Sequence, residues 1–306
     1  MTTAFQRGKV VALSFLQPIS RKGCIIMLEL KNKKIAPLFL FFAALMWSTS
    51  GIFTKTVAWN GLCLATLRGV IAFTASAILL RGRKIRLNRQ KVLAGFCYFV
   101  QGTLFMCANK YTTAANATVL QNTSPLWIIL FGVLLLKKRP TKLEIITCAC
   151  LFLGVAVAFA GNMGGGGWLG NVFALVSAVF YAGVFFLSKG EDADPLESLC
   201  IGNAMYFLLA PFLVTNDAVL HTTLSQWGFL CAFATLSGVG AWLCFTVGIK
   251  HTSALQANFI TMSEPVMAPV WTFLFLGERL GALSLLGCAM VIGTLTWYHL
   301  KSAKQA

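Results

Sequence analysis

Glu264 lies about ten residues inside an apolar run, near the middle of a bilayer-length segment, where an ionised carboxylate costs about 2.5 to 3.5 kcal/mol or more. Two chemistries offset such a cost. The carboxyl can bind a proton and couple its release to the movement of another solute, because desolvation favours the neutral form. Alternatively, the surrounding Ser-Glu-Pro turn breaks the helix and the carboxylate satisfies the backbone N–H groups set free. Pro125 and Pro265 interrupt two apolar runs, each removing a hydrogen bond and leaving carbonyls for neighbours to use. Such breaks either kink a bundle or mark a binding site at the bilayer midplane. The polar neighbours Gln121, Asn122, Thr123 and Ser124 favour a cavity wall at the first of them.

Trp47, with Ser48, Thr49 and Ser50, offers a flat apolar surface beside small hydrogen-bonding groups, a mixture suited to an amphipathic metabolite. Tyr181, Trp242, Asn258 and Pro265 belong to the same candidate cavity set. Arg68 lies about six residues into its run, close enough to the outer surface to snorkel, and is expected to act as an anchor. The glycines from Gly164 to Gly167 lack the Lys and Ser or Thr of a phosphate loop, and read as a turn. His221 falls in a loop and His251 and His299 near segment ends, so no catalytic group of His, Asp or Cys gathers at one depth and no enzyme is expected. Cys148 and Cys150 diverge on a helix, so no metal site is expected there, and no cofactor elsewhere.

These residues must be held by membrane helices. The 306 residues are 58% hydrophobic and 11% charged, which excludes an ordinary soluble domain. Ten continuously apolar stretches of helical bilayer-crossing length fall near 35–57, 62–80, 92–109, 114–136, 143–160, 169–188, 196–214, 226–249, 254–276 and 282–300. With the N-terminus in the cytoplasm, all but four of the 25 lysines and arginines lie on the inner side. The exceptions are Lys55, Lys110 and Arg279 outside and Arg68 within a span. The net charge of +16 therefore reads as orientation and headgroup contact, not as nucleic-acid binding. Both termini are expected inside an inner or plasma membrane. Residues 1–34 form a cytoplasmic tail. Met27, followed by LELKNKK, makes an ordinary cytoplasmic start, so the natural chain is expected to begin there.

The chain repeats itself. Sliding it by 140 residues lays NKYTTAANATVLQNTSP over IKHTSALQANFITMSEP, pairing Lys110 with Lys250, Pro125 with Pro265 and, further on, Arg139 with Arg279. An offset of 134 pairs Trp47 with Tyr181 and Lys55 with Lys189. The expected domains are residues 35–160 and 169–300, joined by a glycine-rich linker at 161–168 and followed by a tail at 301–306. Five helices being an odd number, the second copy enters the membrane inverted. Two inverted copies supply inward-open and outward-open states of similar energy, and hence alternating access.

The motifs LMWSTSGIFTK, ATLRGVIAF, NTSPLW and SEPVMAPVWTFLFLGERL resemble those of EamA-type transporters of the drug/metabolite transporter superfamily, over residues 35–300. The resemblance implies an all-α integral membrane fold of ten transmembrane helices in two inverted five-helix repeats. It also implies a central cavity, fifth and tenth helices free to pair two chains as a homodimer, and export of small molecules such as amino acids or drugs. The candidate cavity residues are Trp47, Ser48, Ser50, Asn122, Ser124, Pro125, Tyr181, Trp242, Asn258, Glu264 and Pro265, with Glu264 as the coupling residue. The halves are not equivalent, since Ser124 stands opposite Glu264 and Lys138 opposite Glu278. The expected partners are a small-molecule substrate and the lipid bilayer, with no nucleic acid. The alternatives are a non-transporting membrane sensor or scaffold, an integral-membrane enzyme, and a channel, the last disfavoured by unequal halves without a charged ring.

Overall fold

Uninterrupted apolar sequence forces the backbone to satisfy its own hydrogen bonds, and the chain does so as helices. The computed structural model describes residues 16–19, 27–30, 33–50, 53–54, 57–160, 167–190, 192–214, 216–276 and 281–303. Lys55, Glu278, Arg279, linker residues 161–166 and much of the two tails lie outside the described residues. Ahead of the helices, β1 (Leu16–Ile19) pairs antiparallel with β2 (Met27–Leu30), an element that the reading of a simple tail did not include.

The first half contains α1 (Ala36–Trp47), α2 (Gly61–Leu79), α3 (Arg89–Tyr111), α4 (Ala114–Gln121), α5 (Ser124–Leu136) and α6 (Lys142–Phe159). The second contains α7 (Trp168–Leu187), α8 (Pro195–Met205), α9 (Leu224–Phe233), α10 (Ala241–Ile249), α11 (Ala254–Thr261), α12 (Glu264–Leu276) and α13 (Ala282–Ala303). By length and composition, five helical stretches among the described residues can cross a membrane: Gly61–Leu79, Arg89–Tyr111, Asn116–Leu136, Trp168–Leu187 and Leu224–Ile249. The apolar helix Ala36–Trp47 is shorter.

Four breaks shape the interior. The helix ending at Gln121 resumes at Ser124, and that ending at Thr261 resumes at Glu264, so each break falls just ahead of its proline. Side chains take up the freed carbonyls: Thr123 Oγ1 donates to Leu120 O at 2.7 Å and Ser263 Oγ to Ile260 O at 2.8 Å. In the first segment α1 stops at Trp47, where Ser48 and Thr49 hydroxyls donate back to the carbonyls of Leu45 and Met46. The expected continuous stretch 196–214 is also broken. After Met205 it tightens into a 3₁₀ turn, Tyr206–Leu209, before a single turn beginning at Pro211, whose missing N–H ends the regular helix.

Between α9 and α10 the chain widens into a π segment, Ala234–Gly240. There the Ser237 carbonyl accepts the indole N–H of Trp47 at 3.2 Å, a tie between the two halves. At one end of the bundle, Arg83 pairs with Asp194 and Glu197, and Lys91 with Glu197 at 2.7 Å, joining α3 and the loop before it to the start of α8. Lysines also tie down backbone carbonyls: Lys110 Nζ donates to Val57 O in the loop ahead of α2 at 2.8 Å, and Lys189 Nζ to Ile249 O at the end of α10 at 3.1 Å.

The outer pair α6 and α13 meets through small residues. A methyl group at Gly287 would overlap the backbone of Ala158 and the carbonyl of Gly154. Gly287→Val is therefore expected to destabilise the protein by about 3 kcal/mol or more. The check is the midpoint of thermal unfolding in detergent, and an unchanged midpoint would mean that the two helices do not meet at this glycine.

Candidate functional site

Seven of these elements converge on one central pocket. It is lined by Trp47 at the end of α1, Ser50 just beyond it, Arg68 of α2, Gln101, Phe105 and Met106 of α3, Gln121 of α4, Tyr181 of α7, Trp242 of α10 and Glu264 of α12. The pocket measures about 30 Å³, room for no more than a few waters.

Its walls are aromatic. The rings of Trp47 and Trp242 lie 4.9 Å apart, those of Trp47 and Tyr181 6.2 Å, and those of Trp242 and Tyr98 4.6 Å, all edge to face. Trp47 and Tyr181, equivalent under the offset of 134, thus meet each other across the interior. Phe245 and Phe185 extend the cluster behind them.

Arg68 departs from the expectation of a snorkelling anchor. It is buried at 6% exposure and turned into the bundle. Its guanidinium donates to the Tyr98 hydroxyl at 3.3 Å and stands 5.9 Å from the centre of that ring. The physical reason is azimuth: depth along α2 is compatible with snorkelling, but this face of the helix looks at α3 and the π segment. Gly238 comes close enough there for an added methyl to lie 3.3 Å from Arg68 Cγ. Arg68 and Glu264 line the same pocket, and no salt bridge joins them among the described residues. The opposite charge supplies part of what a carboxylate at this depth requires.

Not every hydrogen-bonding group is used. The Arg68 Nε and Trp242 Nε1 donors are buried and have no acceptor among the described residues. An unsatisfied buried donor costs about 1 to 3 kcal/mol, more when charged, so both groups are poised for an acceptor atom from a ligand or from water. Gln121 reaches Ser177 at 3.0 Å and Gln101 at 3.3 Å, setting an amide pair into the wall.

Of the residues expected at a cavity, Trp47, Ser50, Gln121, Tyr181, Trp242 and Glu264 come together in this pocket, joined by Arg68, which was expected as an anchor. The other candidates are not among its lining residues. Ser48 accepts the Trp271 indole N–H at 2.7 Å, Asn122 donates to the Thr118 carbonyl, and Ser124 donates to Asn258 Oδ1 at 3.1 Å, bridging the two halves. Pro125 and Pro265 are buried and shape the two helix breaks. Arg68, Gln101, Phe105 and Met106 were not among the residues expected to line the cavity. For Gln101 the available signal was a lone amide inside the apolar sequence of α3.

Comparison with known proteins supplies the family. The EamA-like transporter family matches residues 34–160 and again 168–298. The chain is 27% identical to an uncharacterized transporter of Bacillus subtilis, YcbK, over 68% of this chain and 71% of that one. It is also 27% identical to the pseudopaline exporter CntI of Pseudomonas aeruginosa, over 74% and 81% of the two chains. The UDP-galactose translocator of Bos taurus is 24% identical over 98% of this chain and 79% of its own length. A solved crystal structure shares the fold with a TM-score of 0.77 at 19% identity, covering 90% of this chain and 99% of that one. Two matches spanning most of the sequence, together with its apolar helices, place this all-α membrane protein in the EamA-like transporter family, within the drug/metabolite transporter superfamily.

Proposed function

We propose that the chain is a secondary carrier which exports a small amphipathic metabolite or drug, amino acids included, by alternating access at the central pocket. Its ten segments cross an inner or plasma membrane as two inverted five-helix halves, with both termini in the cytoplasm. The observation that carries this reading is the pair of unpartnered donors, Arg68 Nε and Trp242 Nε1, on residues that line the same pocket as Glu264. An anionic or carbonyl group of the substrate would take those donors, while the rings of Trp47, Tyr181 and Trp242 would pack on its apolar body.

Glu264 would exchange a proton for the substrate. Its carboxylate would accept a hydrogen bond from a donor group of the substrate, and protonation withdraws that acceptor, so the proton and the substrate compete for one site. Relatives named as an exporter and a translocator support carriage and leave the solute open. The pocket is too small here for a metabolite, so a rearrangement of the halves must admit it.

The test is access. In a chain whose native cysteines are replaced, Ser50→Cys is expected to react with a membrane-impermeant maleimide added from either face of oriented vesicles. Reaction from a single face under all conditions would contradict alternating access.

A further inference from the structure

A second and larger cavity, about 290 Å³, shares no residue with the central pocket. Ile128, Ile129, Gly132 and Leu136 of α5, Phe186 of α7 and Leu255 of α11 give it an apolar wall, and Lys138, Arg139 and Lys189 stand at its rim beside a single acid, Glu144.

The local fold explains how the basic pair comes to face apolar groups. Lys137 ends α5 in the left-handed conformation at φ 53°, and the amides of Lys137 and Lys138 both bond to the carbonyl of Gly132. The chain folds back on its own last turn, returning Lys138 and Arg139 to the mouth of the cavity. Burial holds the Lys189 ammonium below the ordinary lysine range, so a neighbouring anion would favour its charged form.

On the same helix, Leu130, Leu134 and Leu135 are exposed, and in a membrane protein such a surface faces acyl chains. The groove therefore borders the bilayer as well as the headgroup layer. We propose that it is a binding site for an anionic phospholipid, the phosphate held by Lys138 and Arg139 and an acyl chain laid against Ile129, Gly132 and Phe186. Cationic clefts between helices at the level of the headgroups select acidic lipids in this way. The topology proposed above determines which leaflet supplies the lipid; the chemistry of the cleft does not depend on that topology or on transport.

The experiment is native mass spectrometry of the full chain in detergent, titrated with palmitoyl-oleoyl phosphatidylglycerol or with the matching phosphatidylcholine. Wild type is expected to retain one phosphatidylglycerol in preference to phosphatidylcholine by about tenfold. The double substitution Lys138→Ala with Arg139→Ala is expected to erase that preference. Gly132→Leu fills the groove and should lower retention of both lipids. It should fold normally, because an added Cβ there meets nothing within 4 Å. Lys301→Ala, an exposed cation on another helix, should change nothing. Equal retention by wild type, the double variant and Gly132→Leu would overturn the proposal. So would retention of glycerol phosphate as tight as that of the intact lipid, which would make the cleft a site for a soluble anion.

Discussion

Arg68→Gln is expected to weaken carriage of the substrate about 10- to 100-fold while the bundle stays folded, since a hydrogen bond to a charged group is worth about 1.5 to 3 kcal/mol. Arg68 is buried, its Nε has no acceptor among the described residues, and the side chain that its guanidinium donates to, the Tyr98 hydroxyl, is neutral. Glutamine can keep a bond to Tyr98, so the variant removes the charge and the forked donor but not the packing. Arg68→Lys should recover part of the loss, because it restores the charge without the planar fork. The measurement is the concentration dependence of efflux at matched expression. A wild-type profile for Arg68→Gln would return this residue to an anchoring role.

Glu264→Gln is expected to abolish proton-driven transport, by roughly 100-fold or more, with normal insertion and expression. Glutamine preserves the shape of the side chain, so the break between α11 and α12, closed by Ser263 on the Ile260 carbonyl, should persist. Export in exchange for protons entering the cell should accelerate as the outside is acidified in wild type, and this response should vanish in the variant. The two charges are also coupled. Removing either leaves the other buried without compensation, so the double variant Arg68→Gln with Glu264→Gln should be more stable than the sum of the single changes implies, and equally inactive. Strict additivity of the unfolding midpoints would mean that the two groups act independently.

How far the site could be read from sequence depended on what each residue's surroundings do. Trp47 and Tyr181 were legible because the internal offset paired them, and their rings stand 6.2 Å apart. Glu264 was legible because a carboxylate inside apolar sequence has few other uses. Arg68 was not, because its helix is apolar on every side and sequence fixes depth in the membrane but not the direction a residue faces. Ser124 and Asn258 were expected to line the cavity, yet they bond to each other at 3.1 Å, a pairing across 134 residues that no local pattern announces. The break within 196–214 was marked by Pro211, whose signal was lost in a continuously apolar stretch. The cleft beside Lys138 and Arg139 required three dimensions as well, since its walls come from α5, α7 and α11.

The most direct test of the central pocket as a transport site compares metabolites in cells and medium for four strains: empty vector, wild type, Arg68→Gln and Glu264→Gln, the proteins at equal level in the membrane. One compound class is expected to shift from cells to medium with wild type alone. Profiles indistinguishable across all four strains, or a shift that persists undiminished in both variants, would contradict a carrier that works through Arg68 and Glu264.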